Sequence, residues 1–220
     1  MPFEKFDLEN LDKERRKAVA NSIRTMSVEE LKALGNEIFR YADDPWREKF
    51  FGFIAENPGA TFHHAVMSDG VIQQVADGRS VYDEPQTAFV ASFVGENNPF
   101  PGTVTKTDGQ YAVIETGFGP LRGRNPHGLH EGARAILFVR PESARLRSGE
   151  QGATFQSTVR NVAFEGNMTH VFLEGVGKKG VMVTISRHNG ADIPEEGVTA
   201  AVSYDPEHGL VLPEGKMARE

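Results

Sequence analysis

Ser157, Arg160 and Asn161 sit in one short run and offer a hydroxyl, a guanidinium and an amide, a donor set that suits an oxyanion. On a regular strand Ser157 and Asn161 share a face and Arg160 points away, so the three converge only if the strand bends. A polyamine would seek carboxylates instead, and Glu142, Glu165, Glu174 and Glu207 are available. Glu142 and Glu207 each follow a proline at the end of an apolar run, so they are expected at equivalent places. The plainer reading is that Pro-Glu simply stops a strand. Among the seven histidines, His63 and His64 are adjacent and would point to opposite faces of a strand. His127 and His130 lie beside Glu131 in a loop rich in glycine and proline, where solvation is the expected fate. No metal site and no cofactor are expected.

Catalytic machinery is not visible, and no catalytic residue is assigned. A phosphate-cradling loop needs Gly-x-x-x-x-Gly-Lys-Ser/Thr between a strand and a helix, and no such run occurs. Gly177-Lys178-Lys179-Gly180 lacks the hydroxyl residue and reads as a hairpin turn. No serine sits in a nucleophile-elbow context. With no cysteine, thiolate nucleophiles, disulfides and zinc-thiolate sites are all excluded. The formal charge of −7, from 31 acidic and 24 basic residues, argues against nucleic acid, which needs a basic face. Arg122, Arg124, Arg145 and Arg147 form a basic group with no aromatic beside them in the sequence. The N-terminus is charged, and no apolar run approaches the length of a membrane span. A cytoplasmic location is expected, with any membrane reached only through a partner.

The elements change character along the chain. Residues 1–60 read as helical: Ala18, Val19 and Ile23 fall at helical spacing, and Ser27-Val28-Glu29-Glu30 forms a capping box before a stripe of Leu31, Leu34, Ile38 and Phe39. Asp43-Asp44-Pro45 then starts a helix in which Trp46, Phe50, Phe51 and Ile54 cluster. That cluster reads as a small helical core or as a docking face for another subunit. An enzyme with its site in this helical part is a further alternative. From about Phe100 onward short runs of Val, Ile, Phe and Thr alternate with glycine turns, the pattern of a sandwich or small barrels. A repeat supports barrels: Gly132-Ala133-Arg134-Ala135 leads to Pro141-Glu142, and 65 residues later Gly197-Val198-Thr199-Ala200 leads to Pro206-Glu207.

Several stretches resemble the C-terminal accessory region of ABC-importer ATPases of the spermidine/putrescine and ferric-iron type. Val66–Val75 is similar to the last stretch of the ATPase domain, where a strand crosses a turn and ends at a Gln. Val81-Tyr82-Asp83-Glu84-Pro85, followed by Phe89–Asn97, closely resembles that family's "IY-x-x-P-x-x-x-FVA-x-F-x-G-x-x-N" linker. Val139-Arg140-Pro141-Glu142 is similar to its "VRPE", and Val159–Asn167 with Tyr204–Glu207 resembles the TOBE module, an OB-like fold. The Walker motifs, signature loop and switch histidine of that family are absent from this sequence.

The periodicities, the repeat and the resemblance together give an α+β chain that is mainly β: an N-terminal helical segment, then two small OB-like barrel units. The expected division is 1–60 helical, 61–98 a remnant strand and linker helix, 99–214 the paired barrels and 215–220 a tail. The resemblance implies a non-catalytic regulatory or dimerisation module without ATP hydrolysis, with a homodimer and ABC-transporter subunits as partners. A stand-alone binder of a polyamine or oxyanion is the alternative, with Ser157, Arg160, Asn161, Glu142 and Glu207 as ligand residues.

Overall fold

Two long strands organise the larger part of the chain, and each is bent by one extra residue. β3 (Asn98–Thr107) pairs with β4 (Tyr111–Thr116) with a register shift between Val104 and Lys106. β8 (Phe155–Glu165) pairs with β9 (Met168–Leu173) with the same shift between Val159 and Asn161. A bulge bends a strand and increases its twist. The first half of β3 can therefore pair with β6 (Arg134–Val139) while its second half pairs with β4. β8 likewise serves β11 (Thr199–Tyr204) with its first half and β9 with its second. β5 (Gly119–Arg124) joins β4, and β10 (Val181–Ser186) joins β9.

The last strand of each set belongs to the other. β7 (Ala144–Arg147) follows β6 in the chain but pairs with β11, and β12 (Gly209–Pro213) follows β11 but pairs with β6. A parallel contact of Leu210 with Arg124 closes a barrel in the order β12-β5-β4-β3-β6. The other five strands form a sheet in the order β10-β9-β8-β11-β7.

The sequence repeat is a repeat of hydrogen bonds. Val104 N–H donates to Ala133 O at 2.9 Å and Gly132 N–H to Val104 O at 2.8 Å. Val159 N–H donates to Val198 O at 2.9 Å and Gly197 N–H to Val159 O at 2.8 Å. Gly132 and Gly197 hold φ of 85° and 82°, a conformation that glycine adopts without steric cost. Phe100 and Phe155 each stand four residues before their bulge valine and meet edge to face at 5.6 Å. One core therefore runs through both strand sets, with Ile114, Leu137, Leu173, Val183 and Val211 buried in it.

In the computed structural model the described residues are 64–69, 71–147, 154–175, 180–186 and 193–218. The helices expected before residue 60 lie outside them. The chain divides into two compact units, 1–90 and 91–220. In the first, β1 (His64–Ser68) and β2 (Val71–Ala76) form a hairpin, followed by a short helix α1 (Gly78–Asp83) and then α2 (Ala88–Phe93), which runs past the division. Asp77 caps α1, accepting from the Arg79 and Ser80 amides at 3.1 Å. The Ser80 hydroxyl bond is the main cause of its carboxyl lying below the usual carboxylate range. Pro85 falls in the bend between α1 and α2, and Phe93 is 54% exposed.

Only one of the two expected barrels closes. Among the described residues, Thr184 N–H donating to Pro141 O at 3.0 Å is the backbone bond that spans the gap between β10 and the β6–β7 turn. β7 has only four residues, too few to line β10. Asn98 fills part of the deficit. Its buried amide accepts from Met182 N–H and donates to Met182 O, both at 2.8 Å, as a neighbouring strand would. Asn98→Ala should strand both Met182 groups and destabilise the second unit by about 1–3 kcal/mol. Urea unfolding followed by circular dichroism would show it as a lower midpoint, and an unchanged midpoint would contradict it. Gly102→Ala should be worse tolerated than its surroundings suggest, because a Cβ there would lie 2.2 Å from Glu115 O.

Candidate functional site

The bulge at Arg160 decides the fate of the oxyanion set. It reverses the alternation, so Asn161 shares the outer face with Phe172, its cross-strand partner, and both Arg160 and Asn161 are exposed. Ser157 stays on the inner face at 7% exposure, where its hydroxyl donates to Glu174 O at 2.6 Å. The expectation that Ser157 and Asn161 share a face is therefore corrected. The hydroxyl is committed to a backbone carbonyl on the far side of the strand from the other two donors.

Glu142 and Glu207 are both exposed and do occupy equivalent turns. Ser143 N–H closes on Arg140 O at 3.0 Å, and His208 N–H closes on Asp205 O at 2.8 Å. Asp205 caps the second turn, a single 3₁₀ turn over Pro206–His208, by accepting from Glu207 N–H at 3.1 Å. Arg140, at the start of the first turn, donates to Val94 O and Glu96 O, so it anchors the residues leading into β3.

The outer face of β8, β9 and β10 carries an arrangement that the sequence did not reveal. His170 Nδ1 lies 3.0 Å from Thr184 Oγ1 on β10, and its Nε2 lies 3.4 Å from Glu165 on β8. A hydroxyl, an imidazole and a carboxylate thus line up across three strands. The signal was alternation: residues 168, 170 and 172 share one face of β9, and register decides what stands beside them. The Glu165 side chain is 71% exposed on an open sheet face, so water competes at its oxygens, and the trio acts as a polar tie between strands.

The basic group also finds company. The Arg122 guanidinium lies 4.6 Å over the ring of Tyr111 and 2.9 Å from Asp108. The Tyr111 amide, then the Arg122 charge, holds the Asp108 carboxyl below its usual range. A shallow crevice runs between Pro99, Phe100, Pro101, Phe118 and Gly180. Phe118, which lines it, meets Phe155 at a tilt, with ring centroids 4.6 Å apart. His130 Nδ1 donates to the carbonyl of its neighbour Glu131 at 2.9 Å, and among the described residues no group of three His, Asp or Glu could hold a metal. No helix among them is long and apolar enough to cross a membrane. Gly177-Lys178-Lys179 and the helical region proposed for an enzyme site lie outside the described residues.

A closed barrel joined to a related five-stranded sheet by exchanged end strands defines the architecture, and residues 137–212, from β6 through β12, match the TOBE domain family. Over a larger stretch the chain is similar to the spermidine/putrescine import ATP-binding protein PotA. It is 34% identical to that of Rubrobacter xylanophilus over 154 residues and 32% to that of Ruegeria pomeroyi over 151. Each match covers 67% of this chain and 40% of the relative, so the chain spans well under half the length of these proteins. A solved cytoplasmic molybdate-binding protein, ModG, superposes at a TM-score of 0.45 and 17% identity over 53% of this chain and 96% of its own.

Tyr204 gives this site a pH signature. Its hydroxyl crosses from β11 in the sheet to Arg122 O on β5 of the barrel at 2.8 Å, and burial pushes the phenol above its ordinary value. The folded state thus binds this proton more tightly than the unfolded chain. Its stabilising effect is complete below the ordinary tyrosine value of about 10 and fades as pH rises above it. Alkaline titration should therefore unfold the chain from about pH 10 upward. In Tyr204→Phe that component of the alkaline loss should vanish, while stability near neutral pH falls by about 1–2 kcal/mol.

Proposed function

We propose that this chain is a non-catalytic regulatory or dimerisation module of the kind that accompanies ABC-importer ATPases. The observation that carries the reading is where the similarity falls. The family match covers β6 to β12, the segment in which the end strands are exchanged, and the PotA relatives align over only 40% of their length. The described residues supply a rigid paired scaffold, with one shared core and no group of residues set for chemistry. Such a scaffold is suited to holding subunits together and to passing on a change in how they are held.

Homodimerisation through an open strand edge is not the route this scaffold favours. The edge of β10 is already engaged at Met182 by Asn98 and at Thr184 by Pro141. A homodimer, which we propose as the working assembly, would use outer surfaces instead.

A small-ligand reading is the second choice, favoured by the Phe-lined crevice between barrel and sheet. Exposed Glu142 and Glu207 suit a polyamine better than the dispersed Ser157, Arg160 and Asn161 suit an oxyanion. One set of experiments separates these readings. The full chain is added to a purified spermidine/putrescine-importer ATPase, and phosphate release from Mg-ATP is followed with and without it. The module reading expects no release by the chain alone and a saturable change in the importer's rate. Release by the chain itself, or no effect together with a monomer in sedimentation at micromolar concentration, would refute it. The ligand reading expects spermidine, putrescine or molybdate to raise the melting temperature by several degrees near 100 times its dissociation constant.

A further inference from the structure

Two prolines in the first half of β3 strip one strand edge of its donors. Val104 N–H donates to Ala133 O in continuation of the β3–β6 ladder, so the even-numbered residues before the bulge turn their backbone groups toward β6. Pro99 and Pro101 turn theirs the opposite way, to the side on which Thr103 meets Glu115 of β4. β4 ends at Thr116, opposite Gly102, and does not reach back to either proline. A proline has no N–H. This stretch of edge therefore presents the carbonyls of Pro99 and Pro101 and no amide.

That edge forms one wall of the crevice that Phe118 and Gly180 also line. The Thr116 hydroxyl beside it is committed, since it donates to Gly119 O at 2.8 Å and accepts from Phe118 N–H at 3.1 Å. Among the described residues no charged side chain lines the crevice. Its polarity is set by main-chain carbonyls next to an aromatic ring. An oxyanion needs donors, which the prolines have removed. A divalent cation would ask for carboxylate oxygens, and an added strand would ask for amides as well as carbonyls. An alkylammonium group suits both features: its N–H groups donate to carbonyls, its charge is attracted to the ring, and its methylenes pack on the same ring.

We infer that this crevice binds an alkylammonium group, held by the Pro99 and Pro101 carbonyls and the Phe118 ring. The inference rests on the small-ligand reading and narrows it, because Glu142 and Glu207 are then no part of the site.

The backbone amides of the full chain are followed by nuclear magnetic resonance while n-butylammonium chloride is added, against sodium chloride at equal ionic strength. Saturable shifts are expected at Gly117, Phe118 and Gly180. Butanol, which has the same chain without the charge, should bind about tenfold more weakly. Phe118→Leu should weaken ammonium binding several-fold. Pro101→Ala, at an exposed position, sets an N–H among the carbonyls and should weaken it too, which keeps the test sound if the first variant folds poorly. The double variant Glu142→Gln/Glu207→Gln should bind as the parent does. Equal binding of butanol, or an affinity that Pro101→Ala leaves unchanged, would overturn the site. Binding lost only in the glutamate variant would overturn it and leave the small-ligand reading standing. Absence of any saturable shift would also overturn it, and the small-ligand reading falls with it only if spermidine, putrescine and molybdate leave the melting temperature unmoved.

Discussion

The reciprocal exchange of β7 and β12 is the constraint from which the rest of the larger unit follows. Neither strand set is complete in its own stretch of chain: the barrel lacks its closing strand until residue 209, and the sheet takes its last strand from residues 144–147. Each backbone ladder therefore depends on a segment distant in sequence, and neither set can satisfy its hydrogen bonds without the other. This explains why a single hydrophobic core, in which Phe100 from one set meets Phe155 from the other, serves both sets. It also explains the role of Tyr204, whose phenol reaches from the sheet to a barrel carbonyl.

Exchange imposes a cost where the two copies differ. β12 is long enough to meet both β6 and β5, and the barrel closes; β7 is not, and β10 is left with part of its edge open. An open edge invites pairing with another chain. Here the edge is occupied by a side-chain amide from β3 and one carbonyl from the β6–β7 turn. Asn98 is buried at 3% exposure, and placing an amide there is favourable only because both of its polar atoms find the same backbone unit. A difference in strand length between the repeats is thus converted into a specific polar contact between the two strand sets.

Much of this was legible in the residues. Runs such as Tyr111–Thr116 and Val181–Ser186 have the alternation and β-branched content that mark strands, and both are strands in the structure. The Gly-x-x-Ala…Pro-Glu repeat fixed which strands are equivalent, because glycine is needed at the positive φ before each and proline ends each. What escaped was set by distant pairing. β5, Gly-Pro-Leu-Arg-Gly-Arg, contains two glycines and a proline and reads as a loop. β7 and β12 are too short to show a period and exist as strands because β11 and β6 offer open edges. The strand exchange itself left no local mark.

The same reasoning separates the candidate site into a part that sequence could supply and a part it could not. Composition put Ser157, Arg160 and Asn161 together, but one extra residue in β8 moved Asn161 to the face opposite Ser157. Alternation has a period of two, so a single bulge reverses every later side chain on the strand. The cost of that bulge is the shared face of Ser157 and Asn161. Its gain is geometric, since the bend lets one strand serve two ladders and so makes the exchange possible. The matching bulge at Thr105 in β3 does the same for the barrel, where no donor set is at stake. Architecture, then, accounts for Arg160's position better than ligand binding does.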